Sequence, residues 1–294
     1  LAPLSGAEYR SGREAASEFG EPYAPKEADA KTMGSSCLIQ AREHTGSRDF
    51  IPQPWAEECP DEDPFSGRGH DPSNPYANFW WMELGGERDT IADAEEIRDD
   101  LLALSFGVWD HVKNRCLRGY ETWNLDWASF LPGKRESRRY VGDHILTAND
   151  ILSGGRFPDT VAYGGWQMDD HAPSGFRHSG DPTRFLPAPS PYGIPLRSLY
   201  SRNIANLMSA GRNISATHLA LSSARIMGTC SLLGQAAGTA AALCVSESLY
   251  PREAAERFTS RIQARLMDDD CFLPGFRRKA SPLMTHAVLS SSEG

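Results

Sequence analysis

The chain has 294 residues, 40% hydrophobic and 23% charged, with a formal net charge of −9. That is ordinary globular usage, enough for about two domains and a sizeable core, and it excludes a chain disordered throughout. The acidity also disfavours nucleic acid as a partner, because phosphate backbones reward clustered Lys and Arg.

The start, Leu1-Ala2-Pro3-Leu4-Ser5-Gly6, carries no Met and no signal-peptide pattern, which predicts a piece of a longer or processed chain. Residues 1–33 are polar, with a helical turn predicted between Gly12 and Glu18. Ser35 to Ala41 reads as a strand, and 44–76, dense in Pro, Gly, Asp and His, as a long functional or mobile excursion. Phe79 to Leu84 reads as a second strand closed by Gly85-Gly86. Thr90 with Asp93 resembles a capping box. After it, Ile97, Leu101, Leu104, Val108 and Val112 recur at helical spacing, so a helix is predicted over 91–115. Pro132-Gly133 breaks the chain, Arg138 to Leu146 predicts a strand or short helix, and Thr147 starts another helix. Val161 to Trp166 is a short strand, and 171–191 is again rich in Pro and Gly. The end, Pro282 to Gly294, lacks apolar periodicity and reads as a linker.

The informative stretch is 191–243. Asn206 to Ala210 predicts a buried strand running into Gly211-Arg212, and Gly at a strand end permits close backbone approach to a ligand. Beyond Ser215-Ala216-Thr217-His218, an unbroken Ala- and Leu-rich run predicts a helix starting near Gly228. Gly234 and Gly238 fall on one smooth face, and the helix N-terminus presents free N–H groups to an electron-rich oxygen.

These residues carry a resemblance. Ala210-Gly211-Arg212-Asn213-Ile214-Ser215-Ala216-Thr217-His218, Arg225-Ile226-Met227 and Leu233 to Ala242 resemble the C-terminal signature of bacterial FAD-dependent oxidoreductases. Gly133 to Arg139, Glu87 to Thr90 and Trp109-Asp110-His111 are similar to the same family. The resemblance implies an α/β fold: part of a three-layer FAD-binding Rossmann domain with an inserted α+β substrate domain containing antiparallel strands. It places 1–20 and 195–250 in the FAD-binding domain, 21–194 in the substrate or cap domain, and 251–294 in a C-terminal helix (Arg252 to Met267) and linker. It implies FAD as cofactor, contacted by Gly211, Arg212, Asn213, Met227, Gly228 and Thr229, and hydride transfer from a small-molecule substrate, a carbohydrate or polyol. The family's G-x-G-x-x-G turn, which holds the pyrophosphate, is absent, as is the acidic residue that binds the adenosine ribose. This predicts a C-terminal fragment that holds FAD weakly or not at all and is inactive alone.

His218, between the Gly-Arg element and the helix, is the candidate acid or base, and Arg197 the candidate substrate anchor. Against these stand a structural loop histidine and a salt-bridge anchor. Arg135, Glu136, Arg138 and Arg139 read as an ion network tying domains together, with a place beside the substrate cleft as the alternative. Trp80, Trp81, Trp109, Trp123, Trp127 and Trp166 read as core more than as sugar platforms. His44, His70, His171 and His178 lie in predicted loops without metal-ligand spacing, and the six cysteines show no C-x-x-C pair, so no metal is expected. No run of about 18 apolar residues predicts a membrane helix. The oligomeric state stays open. The alternative from another class is a carbohydrate-binding or polysaccharide lyase-type protein with a structural Rossmann remnant.

Overall fold

The computed structural model describes residues 1–292 except 60–64, 66–67, 75, 77–78, 117–118, 190 and 289. Parts of the predicted excursion over 44–76 therefore lie outside the described residues, as does the extreme end of the linker.

The first elements are β1 (Tyr9–Arg10) and the one-turn α1 (Ala16–Phe19). The strand predicted at 35–41 is split into β2 (Ser35–Ser36) and β3 (Ile39–Glu43). Of the strand predicted at 79–84 only β4 (Glu83–Leu84) forms. Phe79 has φ 53, and the N–H of Met82 turns back to its carbonyl at 3.0 Å.

Helix α2 (Ala94–Asp110) buries the predicted stripe of Ile97, Leu101, Leu104 and Val108. Each such side chain contributes roughly 1.5–3 kcal/mol through burial. The helix start differs from the predicted capping box. Asp89, not Thr90, accepts from the N–H groups of Ile91 and Ala92 at 2.9 and 3.0 Å. Beyond α2 the chain widens into one π-helical turn (His111–Arg115), where Val112 stays buried. The buried Lys113 ammonium there donates to the carbonyls of Glu121 and Trp123.

Strands β5 (Trp123–Ala128), β6 (Gly133–Lys134) and β7 (Arg139–Tyr140) follow, then α3 (Ala148–Leu152), whose capping box is formed by Thr147 and Asp150. Next come β8 (Thr160–Gly164), β9 (Met168–His171), β10 (Thr183–Leu186) and β11 (Tyr192–Pro195). β10 lies inside the stretch 171–191 read as Pro- and Gly-rich, because a strand of four residues with mixed burial leaves no period to read. Helices α4 (His218–Ala224), α5 (Met227–Glu247), α6 (Pro251–Arg257), α7 (Thr259–Asp268) and α8 (Pro282–Thr285) complete the chain. The helix predicted over 252–267 is interrupted at Phe258, whose φ of −130° leaves the helical region.

The described strands pair antiparallel: β1 with β7, β3 with β5, β8 with β11, β9 with β10, and β2 between β4 and β6. A single isolated parallel bridge joins Leu146 to Ala216. The mixed helices and antiparallel strands agree with the α/β expectation. The three-layer parallel arrangement is not present among the described residues. In particular, the buried strand expected at 206–210 is one arm of a tight turn. Tyr200 bridges Met208 antiparallel, and the N–H groups of Ser201 and Ser209 bond back to Leu207 and Leu199.

Two hydrophobic clusters form. One gathers Met33 with residues from Leu146 to Leu273, and the other gathers Cys37 to Val112 with Tyr120. Apolar packing thus joins 146–194 to the segment that follows it, although the resemblance placed the domain division at 194/195. Helix α5 is long and apolar enough, by length and composition, to cross a membrane. Its apolarity is that of a Gly/Ala helix packed on β8, α6 and α7.

Candidate functional site

Strand β9 organises the polar heart of the molecule. Successive side chains on a strand point to opposite faces, so Asp169 and Asp170 reach different histidines. On one face, His218 lies between Glu136 and Asp170, its Nδ1 2.8 Å and its Nε2 3.0 Å from their carboxylates. On the other, His171 lies between Glu83 at 2.6 Å and Asp169 at 3.2 Å.

Arginines extend both groups. Arg139, with no exposed side-chain surface, pairs with Glu136 and Glu14 at 3.1 Å each, and Arg184 reaches Asp170 at 2.8 Å. Arg135 pairs with Glu83 at 3.3 Å, and Arg225 with Asp169 at 3.2 Å. Glu14 also accepts from the backbone N–H of His218, and Glu21 from Thr217 Oγ1 and the N–H of Ala148.

Taking charges out of water costs several kcal/mol each unless they are paired. Around His218 the carboxylates of Glu14, Glu136 and Asp170 face Arg139 and Arg184, with Arg10 also on Glu14 at 3.1 Å, and the two carboxylates bonded to the ring nitrogens favour an imidazolium. Burial lowers the His218 pKa, but the charge of Glu136 and the bonds to Asp170 and Glu136 outweigh it and raise the value to about 9. His171 is raised as well: burial opposes the shift, and the bonds to Asp169 and Glu83 drive it. Glu136 and Asp170 are held below the ordinary carboxylate range against burial, chiefly by His218.

His218 was expected to exchange protons. The structure buries it to 2% exposure and commits both ring nitrogens to carboxylates. Arg197, expected to anchor substrate, makes a two-pronged pair with Asp159 at 3.0 and 3.1 Å. Sequence reasoning missed Glu14, Glu21, Glu83, Asp169 and Asp170, and it set His171 aside as a loop histidine. Among the described residues no three His, Cys, Asp or Glu side chains converge to hold a metal.

The expected FAD contacts lie in two segments, 211–213 and the start of α5. Gly211 has φ 94, a left-handed conformation, and a side chain there would meet nothing within 4 Å. Gly228, Gly234 and Gly238 on α5 face equally open space. The start of α5 has no side-chain cap, whereas Thr147 and Thr217 cap α3 and α4. Its first N–H groups are therefore free for an outside acceptor. The Arg212 guanidinium, which donates to the Lys134 carbonyl, is close enough to α5 for its charge to be felt at the Cys230 thiol. Asn213 keeps a buried Oδ1 without a partner. Met227 is 87% exposed, while the Thr229 side chain turns inward, so residue 229 offers its backbone.

Together these features fit a flat heteroaromatic ring with carbonyl oxygens at one edge. A family model described as FAD dependent oxidoreductase matches residues 1–266. The chain belongs to the FAD dependent oxidoreductase family. Its cofactor is FAD. No curated protein and no solved structure matches the chain. Within this FAD dependent oxidoreductase, Arg225 connects the ion pairs of β9 to α5: it pairs with Asp169 and lies two residues before α5.

Proposed function

We propose that this protein oxidises a hydroxylated organic substrate, a carbohydrate or polyol, and that its 294 residues form the ring-side half of the flavin site. When bound, the flavin would accept a hydride from a substrate carbon. The observations that support the reading are the left-handed Gly211, where an added Cβ would meet nothing within 4 Å, and a 21-residue helix whose N-terminus no side chain caps.

In this reading Gly211 and Gly228 admit the ring, and the N–H groups at Gly228 and Thr229 bind its carbonyl edge. Arg212 and Asn213 hold the ribityl side. Asp169 and Arg225 brace the turn into α5. His218 serves as a fixed buried cation that positions α4, not as a base, because neither nitrogen is open to take a proton. No G-x-G-x-x-G turn occurs among these residues, so the dinucleotide half of FAD rests on residues other than these.

The test is equilibrium binding of FAD and FMN to the chain, with ADP as competitor. Similar affinity for the two flavins, within about 1 kcal/mol, and no competition by ADP support the reading. FAD bound far more tightly than FMN, with ADP competing, would move the site to the adenine end and refute it. A flavin-free protein that cleaves a polysaccharide would replace it with the lyase alternative.

A further inference from the structure

A cleft of about 230 Å³ lies between the start of the chain, the turn into α2 and the 133–139 segment. It is smaller than the roughly 300–1,000 Å³ of drug-sized ligand sites and suits a molecule the size of one sugar ring. Tyr9, Ser11, Thr32, Thr90 and Ser137 bring hydroxyl-bearing side chains to its wall, and Arg138 brings a guanidinium.

Two observations mark the cleft as built to receive a ligand. First, Thr32 is 5% exposed, and its Oγ1 has no hydrogen-bond partner. Buried hydroxyls are nearly always bonded, so an orphan on a cleft-lining residue is an unmet hydrogen bond next to the cleft. Second, the other charged groups of the wall are already committed. Arg88 pairs with Glu96 and Asp100 at 2.6 and 2.7 Å, and Glu87 with Lys31 at 2.9 Å. The Asp89 carboxylate accepts from two backbone N–H groups. Arg138 alone makes no ion pair with the described residues. It lies 4.8 Å over the Tyr9 ring and feels Asp89 only at longer range. Stacking on an aromatic face holds a guanidinium in one plane and leaves its fork of donors for a carboxylate.

We propose that this cleft binds a monosaccharide-sized carboxylate carrying several hydroxyls, a sugar acid, with its carboxylate on Arg138 and a hydroxyl on Thr32. As the substrate class of the oxidoreductase it rests on the reading above. The binding itself needs no flavin and is measured without it.

The experiment is calorimetric titration of the flavin-free protein with D-glucuronate and with D-glucose, which has the same ring and no carboxylate. Glucuronate should bind at least tenfold more tightly than glucose. Arg138→Ala and Arg138→Gln should each weaken glucuronate at least tenfold, and Thr32→Val should weaken it severalfold. Arg257→Ala, which removes a similar stacked arginine over Phe258 far from the cleft, should change nothing. Far-UV circular dichroism confirms that each variant folds, and the Gln variant carries the test if Ala does not. No binding of glucuronate, equal binding of glucose, or unchanged binding in a folded Arg138 variant overturns the proposal. FMN binding by the same proteins is scored separately, so failure of the flavin reading leaves a distinct signature.

Discussion

Replacing His218 by Gln tests whether the buried ion network depends on an imidazolium. The substitution removes the cation between Glu136 and Asp170, leaving Glu136 to Arg139 and Asp170 to Arg184. A histidine raised from 6.5 to about 9 carries about 3 kcal/mol of folding free energy, at about 1.4 kcal/mol per pH unit. The sign follows from proton binding. The folded state holds the proton more tightly, so the stabilisation is complete below about pH 6.5 and is lost as pH rises through about 9. Urea unfolding of wild type and His218→Gln should therefore differ by about 3 kcal/mol at pH 6.5, and the difference should shrink toward zero near pH 10. At neutral pH the melting temperature should fall by about 4–5 °C. A difference that is constant with pH, or that grows as pH rises, would show that the histidine is neutral in the fold and refute the charge balance. On the acid side, the depressed Glu136 and Asp170 make the wild type lose stability as pH falls through their folded values, and the variant, lacking the histidine that chiefly depresses them, should lose less.

Gly211→Val should weaken flavin binding at least tenfold while lowering stability by only about 1–2 kcal/mol. The backbone strain is local, and nothing in the protein lies within 4 Å of the added side chain. Flavin titration alongside thermal melts separates the two effects. Gly107→Ala should be severe, because its Cβ would fall 2.0 Å from the Glu57 carbonyl oxygen. The segment around Glu57 must lift off α2, and limited proteolysis near residue 57 should accelerate. Thr217→Ala should cost about 1–2 kcal/mol by removing the α4 cap and one donor to Glu21, read as a lower urea midpoint.

The sequence was most legible where a local rule acts alone. The stripe of α2, the Thr147 cap and the start of α5 follow from spacing and capping chemistry within a few residues. The strands were less legible because β1, β2, β4, β6 and β7 are two residues long, and their partners lie far along the chain. Tyr140, for instance, pairs with Tyr9. The flavin-side glycines could be named because the Gly-Arg turn and the smooth helix are contiguous. The charge network could not, since Glu14, Glu83, Glu136, Asp170 and His218 meet only after folding. Arg138 shows the same limit: four charged residues in five, Arg135 to Arg139, read as one network, yet the fold buries Arg139 and leaves Arg138 without an ion pair among the described residues.

The most direct measurement of the central claim is hydrogen exchange by mass spectrometry on the protein with and without saturating FMN. Protection should concentrate at residues 210–213 and 226–230, the glycine turn and the first N–H groups of α5. Bound FMN with those amides unprotected, and protection elsewhere, would contradict the placement of the flavin ring.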